Sequence, residues 1–111
     1  MQKLKHLFIL FLCLFLTNCG DNDNIIAVKI ELKDHKFTPD VIEVEAGKKI
    51  TLEVHNLDST IEEFESVDLH REKLVPPNSS VKITLAPLDP GTYNFFGDFN
   101  QDSAQGKIIV K

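Results

Sequence analysis

From Ile25 to Leu85 the chain keeps returning to one arrangement: short runs with an apolar residue at every second position, each closed by a turn signal. Ile26, Val28, Ile30 and Leu32 alternate with Lys29 and Glu31. Ile42 and Val44 follow, then Ile50, Leu52 and Val54 alternating with Thr51, Glu53 and His55, and later Val81, Ile83 and Leu85. Successive side chains of an extended strand point to opposite faces, so this period buries one face and leaves the other wet. Ala46-Gly47-Lys48, Pro76-Pro77-Asn78 and Asp89-Pro90-Gly91 break the runs, and glycine and proline are the strongest local punctuators. Strands are expected at 25–32, 41–45, 49–55, 62–66, around 81–85, after Gly91, and at 107–111. Lys33–Pro39 reads as a loop whose Phe37 plugs one end of the core, and Val67–Val75 as irregular chain with at most a turn of helix. The fold class is all-β: a Greek-key β-sandwich of about seven strands.

Ahead of this domain, Lys3, Lys5 and His6 precede an unbroken apolar run from Leu7 to Leu16. That run is short for a bilayer span and fits the hydrophobic region of a signal peptide. Leu16-Thr17-Asn18-Cys19 resembles a bacterial lipobox, although Asn18 stands where a small residue is usual. The reading is a lipoprotein-type signal peptide over 1–18, lipidation at Cys19, a polar tether over 19–24 and a domain over 25–111. The alternative is an ordinary signal peptide cut near Gly20. Either way the expected location is the periplasm or cell envelope, with a lipid anchor to the membrane on the first reading.

Charge and cysteines narrow the chemistry. Lys3 and Lys5 fall in the leader, leaving 10 basic against 17 acidic residues and a net −7, where the whole chain has −5. Such a balance speaks against nucleic acid as a partner and suits a protein that meets cations. Cys13 and Cys19 are the two cysteines of the chain, and both precede the domain, which therefore has neither a disulfide nor a thiolate ligand. No Ser-His-Asp order, phosphate loop, CxxC pair or HExxH is present. A binding protein is expected, not an enzyme.

The C-terminal stretch GTYNFFGDFNQDSAQGKIIVK carries the most specific signal. Tyr93, just after Asp89-Pro90-Gly91, is placed to anchor a sandwich corner through its hydroxyl. A strand, a loop and a closing strand headed by Gly106 form the C-terminal arrangement of cupredoxins. Together with FTPDVIEVEAGKKITLEVHN and EEFES, it makes the chain resemble, from Val28 to Lys111, the cupredoxin-like domain of EfeO-type iron-uptake proteins and their small periplasmic relatives. In electron-transfer cupredoxins a His₂Cys set with a weak axial ligand makes the blue copper centre. Carried onto this sequence, that pattern places Glu62 at the first histidine, Gly97 at the cysteine, Asn100 at the second histidine and Ala104 near the methionine. No blue (type 1) copper is therefore expected.

EfeO-type relatives have acidic residues in place of that set, so the resemblance makes Glu62, Glu63, Asp98 and His70 the metal candidates, with Glu65, Glu72 and Asp102 behind them. Carboxylates with one imidazole suit iron or oxidised copper, so one such ion is implied. The plain readings stand beside these. Glu62 and Glu63 are solvated carboxylates, His70 is surface, Asp98 caps a turn, and Asn100 hydrogen-bonds its own loop. Alternation sets Glu62 on the Phe64 side of its strand. His35 and His55 read as surface, and Phe95, Phe96 and Phe99 as core. In cupredoxins the 56–63 and 98–105 loops share one end, so the four candidates are expected at one rim. The implied function is an exported protein that binds an iron or copper ion, or hands it on to a membrane permease, in bacterial metal uptake. The alternative is a metal-free cupredoxin shell serving as a protein-interaction module.

Overall fold

The structure is a computed structural model that describes residues 24–111; the expected signal peptide, Cys19 and nearly all of the expected tether lie outside the described residues. Nine strands follow in order: β1 Ile25–Lys33, β2 Lys36–Thr38, β3 Val41–Val44, β4 Lys49–Asn56, β5 Glu62–Ser66, β6 Arg71–Val75, β7 Ser79–Leu85, β8 Gly91–Gly97 and β9 Gln105–Val110. A single 3-10 turn, Asp98–Asn100, leaves the end of β8. One sheet has the order β2-β1-β4-β7 and the other β3-β9-β8-β5-β6. Each is mixed, with β1 parallel to β4 and β3 parallel to β9.

The alternating residues decide which faces meet. Ile30, Leu32, Ile50, Leu52, Val54, Ile83 and Leu85 are buried from one sheet; Ile42, Phe64, Val75, Phe95, Ile108 and Val110 are buried from the other. Three rings pack together toward one end of the core, where Phe37 was expected to plug it. Phe64 stacks on Phe95 with centroids 5.1 Å apart, and Phe37 meets both edge-on at 6.3 and 5.2 Å. Phe95 is possible in that place because residue 106 has no side chain: a Cβ there would lie 2.6 Å from its Cε1.

Two strands go beyond the about seven expected from the turn spacing. β2 is short, with Phe37 its one buried residue, and it exists because Asp34 and His35 take consecutive positive φ angles of 52° and 58°, the conformation of a tight two-residue hairpin turn. The Asp58 carboxylate holds that turn, accepting from the Asp34 N–H at 2.7 Å and the His35 N–H at 3.0 Å. β6 corrects the irregular reading of Val67–Val75. Arg71, Glu72, Lys73 and Leu74 are all exposed and only Val75 is buried, so an edge strand leaves no alternation to read. The Tyr93 hydroxyl donates to the Asp89 carbonyl at 2.8 Å, closing the corner before β8.

Candidate functional site

β5 divides its acidic residues between two faces. Glu62, Phe64 and Ser66 are buried; Glu63 and Glu65 face outward. Glu62 is 2% exposed. Its Oε1 accepts from the N–H groups of Glu63 at 3.0 Å and Phe99 at 2.8 Å, and its Oε2 from the Asn100 side-chain amide at 2.7 Å. Gly97 pairs with Phe64 in the sheet, and a Cβ on it would lie 2.7 Å from Glu62 Cδ and 2.8 Å from the Ala104 Cβ. Ala104, fully buried, donates its N–H to the Asn100 carbonyl, and Gly97 donates to the Ala104 carbonyl, each at 2.9 Å. Glu62, Gly97, Asn100 and Ala104 therefore enclose one small volume. The Glu62 carboxyl group fills it.

The outward face holds a different group. One carboxylate oxygen each from Glu63, Glu65 and Glu72 lie within 4.8 Å of one another. Glu72 reaches this group because β6 pairs Glu65 directly opposite Glu72 and Glu63 opposite Leu74. Like charges opposed across a ladder repel, and Asp98 adds to the field at both Glu63 and Glu65. Partial burial first, then the Glu72 carboxyl group and the Asp98 and Glu65 charges, raise the Glu63 pKa above its ordinary 4.5. Glu65 is raised by partial burial first, then by Asp98 and Glu72. No lysine or arginine pairs with Glu63, Glu65 or Glu72 among the described residues. Asp98 accepts from the Gln101 amide at 2.8 Å and pairs with no lysine or arginine among the described residues.

His70 lines a shallow concavity with Glu65 and Glu72 but is not one of the three groups that converge, and it is far from Glu62. It lies in the β5–β6 turn beyond the Ser66–Arg71 pair, whereas Glu62 is at the Val75 end, roughly 13 Å away along the strand at ~3.3 Å per residue. Its φ is 54°, and its turn is tied to β8 by the Ser66 hydroxyl, which donates to the Asn94 carbonyl at 2.6 Å, and by Asp68, which accepts from the Asn94 N–H at 2.8 Å. The expected single rim is thus split: Glu63 and Asp98 come together, Glu62 turns inward, and His70 sits at the far end of β5 from Glu62, next to Glu65 and Glu72. Phe99, expected in the core, is 50% exposed on its 3-10 turn. His55 is half-buried and bonded to Glu53 at 2.8 Å.

The residues at the blue-copper positions do not fit that ion. They offer no thiolate and no imidazole, and both oxygens of their one carboxyl group already accept hydrogen bonds. The fold around them is nonetheless that of the copper proteins. Residues 6–110 match the family model of the cupredoxin-like domain. The chain belongs to that family. The cupredoxin-like domain has a relative in Rickettsia prowazekii (strain Madrid E), an uncharacterized protein that is 64% identical over 89 residues, 80% of this chain and 71% of that one. In solved structures it is similar to the Cu(I)-bound metal-binding domain of the Streptococcus pneumoniae Cu(I)-exporting P-type ATPase, with a TM-score of 0.70 and 14% identity, covering 81% of this chain and 89% of that one. It is also similar to the blue copper protein auracyanin A of Chloroflexus aurantiacus, with a TM-score of 0.67 and 16% identity over 78% and 99% of the two chains. Identities this low carry the fold of a cupredoxin-like domain and not its ligands.

Asn56, expected only to open a loop, ends β4. It is 1% exposed, and its side-chain nitrogen donates to the carbonyls of Thr60 at 2.9 Å and Val75 at 3.1 Å, while its oxygen accepts from the Asp58 N–H at 3.0 Å. An asparagine two residues ahead of an Asp-Ser turn was the available signal. It sets the path of the chain into β5, and so the position of Glu62.

Proposed function

We propose that this cupredoxin-like domain binds a transition-metal cation on an all-oxygen rim made by Glu63, Glu65, Glu72 and Asp98, in the service of iron or copper uptake at the cell envelope. The observation that carries the reading is the crowding of three carboxylates within 4.8 Å beside a fourth acidic residue, with no basic partner at the three among the described residues. Removing that repulsion with a cation is favourable, and hard oxygen ligands suit iron or oxidised copper better than Cu(I). The copper-binding relatives of the fold support a metal-related role. Relationship to the EfeO type, and a membrane permease as the receiving partner, are the finer parts of the proposal. On this reading the chain is a carrier and not an enzyme, Glu62 shapes the rim from behind, and His70 lies outside the ligand set. A second reading, a metal-free shell for protein interaction, is favoured by one observation: both Glu62 oxygens are already taken by protein donors.

Thermal unfolding of chelator-treated protein with Fe(II), Fe(III), Cu(II) or Zn(II) separates the two. A bound ion stabilises by mass action, ~2.7 kcal/mol at a hundredfold excess over Kd, and Glu65→Gln should reduce the rise in Tm. If no ion moves Tm, the metal-free shell replaces the first reading. The same titration has a pH signature. Because the folded state raises the pKa values of Glu63 and Glu65, it holds their protons more tightly than the unfolded chain does. Their contribution to stability is complete below pH 4.5 and is lost as pH rises through the raised values. Metal-free protein should therefore lose stability from this pair as pH rises through that window. A saturating ion should remove the loss, and Glu65→Gln should flatten it without metal.

Anchoring through Cys19 is part of the proposal and is tested apart. Cys19→Ser should move the protein from the membrane fraction to the soluble fraction. A wild type that is already soluble ends the anchor reading.

A further inference from the structure

We infer that the Glu62 carboxyl group takes the place of a metal ion as the hub of this end of the sandwich, holding the closing loop on β5 and shutting the position to any ion. Glu62 accepts from Phe99 and Asn100, 37 and 38 residues further along the chain, and from Glu63 on its own strand. One side chain thus joins two distant segments, as a shared ion does through ligands from each. The loop then closes on itself through Ala104 to Asn100 and Gly97 to Ala104. The Glu62 oxygens accept three hydrogen bonds between them, of the about four that a carboxylate can take, so little of the group is left open to an incoming cation. An ion held by both Glu62 oxygens would displace the Phe99 N–H and the Asn100 amide, leaving both without that acceptor. The glycine at 97 belongs to the same device, since any side chain there would overlap the Glu62 carboxyl group.

Amide exchange followed by NMR on chelator-treated protein tests this directly. In the wild type the Phe99 amide should be protected, and adding Fe(III), Cu(II) or Zn(II) should leave its protection unchanged. Glu62→Ala should speed its exchange by about tenfold or more, since a bond to a carboxylate is among the stronger kinds. Amides of β1 and β4 remain slow in that variant if it is folded. Asn100→Ala, which removes one arm of the hub and leaves two, should loosen the Phe99 amide in the same direction by a smaller factor and serves if Glu62→Ala does not fold. A chelated wild type whose Phe99 amide exchanges freely until an ion is added overturns the inference. Equal protection of Phe99 in wild type and both variants overturns it too. The outcome is independent of the rim: an ion that raises Tm without changing Phe99, or the failure of every ion to bind, leaves the hub standing.

Discussion

Replacing Phe95 by alanine should remove about 3–5 kcal/mol of stability, the range found for deleting a buried ring. Phe95 is 1% exposed and makes the two closer of the three ring contacts. It stacks on Phe64 at 5.1 Å, meets Phe37 edge-on at 5.2 Å, and presses against the bare backbone of Gly106. The lost ring therefore leaves a cavity bounded by β2, β5 and β9, and those strands are held in register by their own ladders and cannot collapse into it. A domain of this kind holds ~5–15 kcal/mol in total, so one substitution takes a large share. Urea unfolding should show a lower midpoint at an unchanged slope. Phe95→Leu, which keeps most of the volume, should cost clearly less. A loss under about 1 kcal/mol for the alanine variant would mean that the site closes over the gap, and the three-ring account of the core would be wrong.

How legible this molecule was depended on whether a residue's role was local. The strands around Ile30, Leu52, Phe64 and Ile83 carry alternation that any period-2 reading finds, because each has one wet face and one dry one. β6 has no dry face except at Val75, so it was invisible, and with it the placing of Glu72 opposite Glu65. That single missed ladder is why Glu63 was grouped with Glu62 and not with Glu65 and Glu72. The inward turn of Glu62 was legible from its spacing to Phe64. Asn100 as a neighbour was implied by the resemblance, which puts both residues at one site; the Phe99 N–H was not, since the 3-10 turn that aims it left no pattern to read. Phe99 shows the opposite failure: a large apolar residue suggests core, yet a 3-10 turn anchored by its own N–H holds it half in water.

Gly97 offers the sharpest test of how that end is packed, because nothing in its backbone calls for glycine. Its φ of −92° and ψ of 114° are extended values that any residue adopts. The reason for glycine is space alone: an added Cβ would lie 2.7 Å from Glu62 Cδ, 2.9 Å from Glu62 Oε2 and 2.8 Å from the Ala104 Cβ. Gly97→Ala should therefore cost about 3 kcal/mol, the upper part of the usual range for forcing a methylene into a packed interior. Two of those three clashes are with one side chain. In a Glu62→Ala background they vanish, and the methyl at 97 would fill part of the volume that the carboxyl group left. The cost of Gly97→Ala should then fall to the remaining contact with Ala104. Measured as a double-mutant cycle by denaturant unfolding, the pair should show a coupling of about 1–3 kcal/mol, with the double variant more stable than the sum of the singles predicts. Additivity within about 0.5 kcal/mol would mean that the methyl and the carboxyl group do not compete for one volume. Such a coupling is what a shared small space must produce: side chain at 97 or carboxyl at 62, but not both.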